Sequence, residues 1–366
     1  MFLTANKFMA RMGDLSLGLT PAAVARLLVT GRRAKWDGRR VDPRAQVAGR
    51  FFTSLRIPAT EARLTAFREF FDALGTRSGF ADTGGVGTRD IAMPLADRSL
   101  TGRLYSPDGV ADGGPLILFF HGGGYVLGSV AGYDPICRRL AKLSGHRLLS
   151  VEYRLAPEHP WPAPVEDARD SWTWVQQNAD RLGIDPERVT LSGDSAGGGL
   201  ALVVANHAAA TPQDNQPAAL ALAYPAARVT LQDEAEQALA GMELLLGVSV
   251  LEWFKKTYTA GRVEATDPTM SPALDEDGLR HMPPTLILTA GFDPLRPGAE
   301  FLRDRLAAGG RAVELYEYPT MIHGFVSLGR HFTEADDAIR RLARYVRTCC
   351  ETERGESRQA ARGGIV

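Results

Sequence analysis

The sequence predicts an α/β protein: a mostly parallel central sheet flanked by helices, with a helical cap. Three observations predict it. Short apolar runs recur and alternate with helical stretches, one interval between runs is far too long for an ordinary connection, and the first 80 residues look helical without any buried-strand signal. Strands alternating with helices imply right-handed βαβ crossovers, and a sheet covered on both faces carries near-continuous apolar strands.

Residues 21–30 and 61–74 place apolar side chains three and four apart, as in Leu64, Phe67, Phe70, Phe71 and Leu74, the period of a helix face. Residues 80–87 are glycine-rich and read as a linker. Gly84, Gly85 and Gly87 follow no apolar strand and precede no helix, so they do not form a phosphate loop. Residues 89–93 and 99–105 fit an antiparallel pair around a turn at 96–98. Apolar runs then follow at 116–120, 148–153, 189–192, 219–224 and 285–290, with a sixth at 312–318.

The interval 225–284 is some sixty residues long, where a connection usually takes ~2–6. It contains helical patterns at 234–246 and 248–258. The expected organisation is an N-terminal helical part of a cap at 1–80, the first part of the α/β domain at 81–225, a cap insertion at 226–272, the rest of that domain at 273–350, and a polar C-terminal tail at 351–366. No internal repeat is present.

The 366 residues are 45% hydrophobic and 23% charged, enough for a sizeable core. With 42 Lys plus Arg against 43 Asp plus Glu, no global field attracts nucleic acid. Arg32, Arg33, Lys35, Arg39, Arg40 and Arg44 surround Trp36 and read as a solvated face. No run of 18 uncharged apolar residues suggests a membrane span, and Lys7, Arg11 and Asp14 interrupt the N-terminus where a secretory signal would be apolar. Cys137, Cys349 and Cys350 have no disulfide or metal spacing and read as reduced thiols of a cytoplasmic protein.

In an open α/β sheet, ligands bind beyond the carboxyl ends of the strands. After the run at 189–192 comes Gly193-Asp194-Ser195-Ala196-Gly197-Gly198, then an apolar helical stretch. This is G-x-S-x-G at a strand-to-helix junction, where small neighbours allow a sharp turn that exposes a nucleophilic serine. After the run at 116–120 comes His121-Gly122-Gly123-Gly124-Tyr125. Its glycines let backbone N–H groups approach a developing oxyanion, which assigns the donors to Gly123, Gly124 and Ala196.

The order expected with such a serine is acid, then histidine. Asp293 lies just past the run at 285–290, whereas Asp304 lies within the next helix, so Asp293 is the better candidate. His323 follows the last run in the same way. His121, His146, His159, His207 and His281 precede Asp293, and His331 lies further on. His121 is expected to brace the glycine loop through a hydrogen bond.

The motifs together resemble the hormone-sensitive-lipase-like esterases, bacterial family IV of lipolytic enzymes, within the α/β-hydrolase superfamily. The resemblance runs from about 116 to 346 and rests on HGGGY at 121–125, YRLAPEHPWPAPVED at 153–167, GDSAGG at 193–198, DPLR at 293–296 and HGF at 323–325. It implies Ser195 as nucleophile, His323 as base, Asp293 as its orienting acid, and a two-part cap from the N-terminal helices and the insertion. The family often has an acidic residue where this chain has Pro297. Prolines 157, 160 and 162 predict a rigid extended connection, with Arg154 and Glu158 in supporting pairs.

The resulting expectation is a serine carboxylesterase acting on short- to medium-chain acyl esters, with no metal or cofactor and a small-molecule ester as partner. An amidase, lactonase or transacylase would need the same triad. A non-catalytic receptor of this fold would usually lack one of its members. Tyr125, Asp194, Trp253 and Tyr258 are candidate substrate contacts. Trp36, Phe51, Phe52, Met242 and Leu245 either line the acyl site or serve as ordinary helix-core contacts. A homodimer is compatible with the sequence.

Overall fold

The computed structural model describes residues 22–29, 31–55, 57, 60–82, 84–210, 215–228 and 233–363. The charges expected to interrupt a signal sequence lie outside these residues. In chain order the main sheet contains β1 (Val86–Pro94), β2 (Ser99–Pro107), β3 (Gly114–Phe120), β4 (Arg147–Glu152), β5 (Ile184–Asp194), β6 (Ala219–Ala223), β7 (Thr285–Phe292) and β8 (Val313–Ile322). They lie in the order β8-β7-β6-β5-β3-β4-β2-β1. All neighbours from β8 to β4 are parallel, and β2 and β1 continue the sheet antiparallel.

The central strands are mostly apolar and buried because each face has its own core. Along β3, Leu116, Leu118 and Phe120 enter one core while Ile117 and Phe119 enter the other. The first core is closed by Trp172 of one helix (Ala163–Gln177) and by Leu200 and Val204 of another (Ala196–Ala209). Ile136 and Leu140 of Asp134–Ser144, with Ile339 and Leu342 of Thr333–Gly363, close the second. Each such side chain contributes about 1.5–3 kcal/mol by leaving water.

The N-terminal region forms helices at Ala22–Leu28, Pro43–Ser54 and Glu61–Ser78, and also a two-residue hairpin pairing Lys35–Trp36 with Arg39–Arg40. The helical pattern at 234–246 is only half realised. Glu234–Ala240 is helical with a capping box at Asp233, then the chain turns, because Glu243 and Leu245 take φ of 54° and 76°, outside helical space. Helix resumes at Val248–Thr259. The 153–162 connection is not extended: it folds into turns, with His159 N–H donating to the Leu155 carbonyl at 2.9 Å. Arg154 pairs with Asp167, and Glu158 with Arg68 of the N-terminal region. The segment 351–363, expected as a polar tail, continues the last helix. Among the described residues no helix is long and apolar enough to cross a membrane.

Candidate active site

Register brings the key loops together. Phe120 pairs with Gly193, and Asp194 pairs with Ala223, so residues 121–124 leave the sheet beside Ser195. Ser195 has φ 54° and ψ −122°, a conformation that L-residues rarely adopt. Backbone bonds hold it there: its N–H donates to the Ala223 carbonyl at 3.0 Å, and its carbonyl accepts from Ala226 at 2.9 Å. The helix behind it starts at once because residue 197 is glycine. A Cβ there would sit 2.0 Å from the Phe120 carbonyl oxygen. The serine thus caps a helix N-terminus, whose partial positive charge favours a developing negative charge.

A different device positions the acid and the histidine. In the β7–β8 ladder, Tyr318 pairs with Ala290 and Ile322 with Phe292, so β8 takes four steps where β7 takes two. This bulge brings His323 level with Asp293. The His323 Nδ1 lies 2.7 Å from Asp293 Oδ2, and its Nε2 lies 2.8 Å from Ser195 Oγ. Asp293 Oδ1 accepts the Leu295 N–H at 2.8 Å, which fixes the carboxylate plane. Asp293 and His323 are both buried.

The glycine loop is braced from two sides. The buried His121 ring stacks on Tyr153 with centroids 4.3 Å apart, and its Nδ1 lies 2.9 Å from the Gly122 carbonyl oxygen. A carbonyl only accepts, so Nδ1 carries the proton. Burial pulls the His121 pKa down to about 4, keeping the ring neutral. On the other side, Asp194 accepts the Gly122 N–H at 2.8 Å and the Tyr133 hydroxyl at 3.1 Å. Burial raises the Asp194 pKa to about 6. Gly123 and Gly124 then face the cavity beside Ser195, and Ala196 faces a second cavity. Gly123 has φ 128°, and a Cβ there would strike the Leu127 carbonyl oxygen at 2.1 Å.

Two apolar cavities meet at Ser195. The larger, about 810 Å³ and open to solvent, has walls from Phe52, Phe71, Leu74, Leu245 and Leu328, with His323 at its edge. The smaller, about 500 Å³, is walled by Tyr125, Ala226, Leu251, Tyr258 and Met270. Tyr125 and Tyr258 stack at 4.0 Å.

The remaining candidates fall elsewhere. Asp194 borders the larger cavity, and its two oxygens accept from the glycine loop and from Tyr133. Trp253 faces an outer groove with Glu61, Leu64 and Pro157, because it sits on the far side of its helix from Tyr258. Trp36 and Met242 pack against the sheet core, and Phe51 packs on Phe52 and the 61–78 helix. Phe71, Leu74, Leu246, Leu251 and Phe254 were missed as wall residues. Helical phase offered a signal for two of them: Leu251 and Phe254 stand seven and four residues before Tyr258, on one face. Among the described residues, no cluster of His, Cys, Asp or Glu could hold a metal ion.

A serine on a strand-to-helix turn, backed by a buried histidine and aspartate on an eight-stranded α/β sheet, defines a serine hydrolase. A profile of the α/β-hydrolase fold matches residues 117–327. The carboxylic ester hydrolase LipN of Mycobacterium tuberculosis is 35% identical over 324 residues, covering 84% of this chain and 83% of that protein. The ethyl acetate hydrolase of Pseudomonas putida is 34% identical over 295 residues, covering 80% and 91%. Among solved structures, EstE1, a thermostable carboxylesterase from a metagenomic library, superposes with a TM-score of 0.75 at 34% identity, covering 81% of this chain and 99% of that one. The chain belongs to the hormone-sensitive-lipase-like esterases of the α/β-hydrolase fold, and is a carboxylic-ester hydrolase.

Proposed function

We propose that Ser195 is acylated by short- to medium-chain esters, with His323 as base and Asp293 as the group that orients it. The observation that carries this reading is the hydrogen-bonded chain Asp293–His323–Ser195, ending where two apolar cavities meet. His323 Nε2 takes the Ser195 proton as Oγ attacks the ester carbonyl. Asp293 keeps the other ring proton on Nδ1 and steadies the imidazolium that forms. The N–H groups of Gly123, Gly124 and Ala196 receive the oxyanion. His323 then protonates the departing alkoxide, and water, deprotonated by the same ring, releases the acid.

Two supports bear on substrate size. The relatives include an ethyl acetate hydrolase, and the walls beside Ser195 are apolar side chains from the N-terminal helices and the 233–259 segment. We read these elements as a cap that limits chain length. Cys137, Cys349 and Cys350 form no disulfide, which supports a reducing, cytoplasmic setting.

A p-nitrophenyl ester series from acetate to laurate tests the reading. Each methylene that finds apolar wall adds about 0.8 kcal/mol, roughly fourfold in kcat/KM. The profile should climb from acetate, peak between butyrate and octanoate, and fall steeply beyond. Faster hydrolysis of emulsified long-chain triglyceride than of soluble butyrate would contradict it.

A further inference from the structure

The two cavities beside Ser195 share Gly124, Leu246 and Phe254 as common walls. Of these, Phe254 is the one large ring that the helix Val248–Thr259 carries to the shared boundary. It sits directly on the glycine loop. A Cβ built on Gly124 would lie 2.3 Å from Phe254 Cδ1 and 2.6 Å from Cε1 and Cγ, so the ring fills the space that any other residue at 124 would claim.

The chemistry assigns the two sides. The leaving oxygen must lie within reach of His323 Nε2, because that nitrogen delivers its proton. His323 borders only the larger cavity, whereas the oxyanion donors line both, Gly123 the larger, Ala196 the smaller and Gly124 each. An ester carbonyl seated on Ser195 therefore sends its alcohol half toward Phe52, Phe71 and Leu74. Its acyl half runs toward Leu251, Tyr258 and Met270.

We propose that Phe254 is the specificity-determining wall of this enzyme: its ring separates the acyl from the alcohol half of the ester and sets the bulk tolerated at the acyl α-carbon. The proposal rests on the ester-hydrolase reading above. The ring stands where the first carbons on either side of the scissile bond must pass. Its size therefore limits branching next to the carbonyl before the far end of either cavity limits chain length. Steric exclusion of this kind acts on the ratio between substrates, whereas a loosened fold depresses all substrates together.

The test measures kcat/KM for two ester series on the wild type and on Phe254→Leu, Phe254→Ala and Phe254→Trp. One series holds ethanol constant and runs through acetate, propionate, isobutyrate and pivalate. The other holds acetate constant and runs through ethyl, butyl and hexyl alcohols. Normalised to ethyl acetate, the isobutyrate and pivalate values should rise at least tenfold in Phe254→Ala, rise less in Phe254→Leu and fall in Phe254→Trp. Unchanged isobutyrate-to-acetate ratios in Phe254→Leu and Phe254→Trp would overturn the proposal while leaving the esterase reading intact. Absence of ester turnover by the wild type would instead overturn that reading.

Discussion

Asp194 Oδ1 accepts the Gly122 N–H at 2.8 Å, so the residue just before Ser195 holds the loop that faces it. Gly122 follows β3 and Asp194 ends β5, 72 positions apart. This bond makes the serine turn and the glycine loop one unit, with Tyr133 completing the carboxylate's partners.

That carboxylate is buried at a cost. Its pKa stands at about 6 against an ordinary value of 3.8, chiefly because burial penalises the charge. The folded state thus binds the proton more tightly than the unfolded chain, so this group's contribution to stability declines as pH rises from about 4 through 6 and is level above. The charged form costs about 3 kcal/mol at neutral pH. Asp194→Asn keeps an acceptor for Gly122 without the charge. It should raise Tm at pH 7.5 and flatten the dependence of Tm on pH between 4 and 6. Thermal unfolding across that range checks it, and a lower Tm with an unchanged slope would refute it.

Ser195 stores strain at φ 54°, a cost of about 1–3 kcal/mol for a residue with a Cβ. Ser195→Ala keeps the strain and Ser195→Gly relieves it. Both variants should lose about four to six orders of magnitude in kcat. The glycine variant should be the more stable of the two by about 1 kcal/mol, after its greater unfolded-state entropy is counted. Denaturant unfolding of the pair decides the matter. Equal midpoints would mean that the turn is not strained.

Gly197→Ala should be more damaging than its single methyl suggests. The methyl would meet the Phe120 carbonyl oxygen at 2.0 Å, and backbone cannot rotate away as a side chain can. A loss of about 3 kcal/mol is expected, together with a fall in kcat as Ser195 shifts away from His323. Chemical denaturation and turnover of p-nitrophenyl acetate measure the two effects separately.

Arg68 ties the N-terminal helices to the same loop. Its guanidinium donates to the Val126 carbonyl at 2.8 Å and the Ala156 carbonyl at 2.7 Å, and it also forms a forked pair with Glu158. Glu158 is 39% exposed, so the ion pair itself contributes little. Glu158→Gln should change stability by less than about 0.5 kcal/mol. Arg68→Met, which leaves two carbonyls without their donor, should cost about 1–2 kcal/mol and raise KM. A comparison of Tm and KM for the two variants tests this. Equal effects would show that the charge pair, not the carbonyls, is the anchor.

Much of this was legible in the residues before any coordinates. The apolar runs became β3 to β8, with the largest offset at the start of β5, because a strand buried on both faces is mostly apolar and stands out from its surroundings. Local chemistry also marked the strand-to-helix serine, the glycine loop and the two residues that follow the last strands. These signals are short-range: a glycine beside a serine is required by the turn itself, whatever lies across the sheet.

Pairing across long separations was decided only in three dimensions. The bulge between Tyr318 and Ile322, which sets His323 level with Asp293, depends on the register against β7; Pro319 marks a break in the ladder but not how far the register slips. Asp194 reads in sequence only as the neighbour of Ser195, and its bond to Gly122, 72 positions away, is visible only in the structure. Trp253 and Phe254 are adjacent aromatic residues, and helical phase groups Phe254 with Leu251 and Tyr258 without saying which face of the helix meets the site. A helix turns about 100° per residue, so one faces the outer groove and the other the glycine loop, and only the packing of that helix over the sheet determines which.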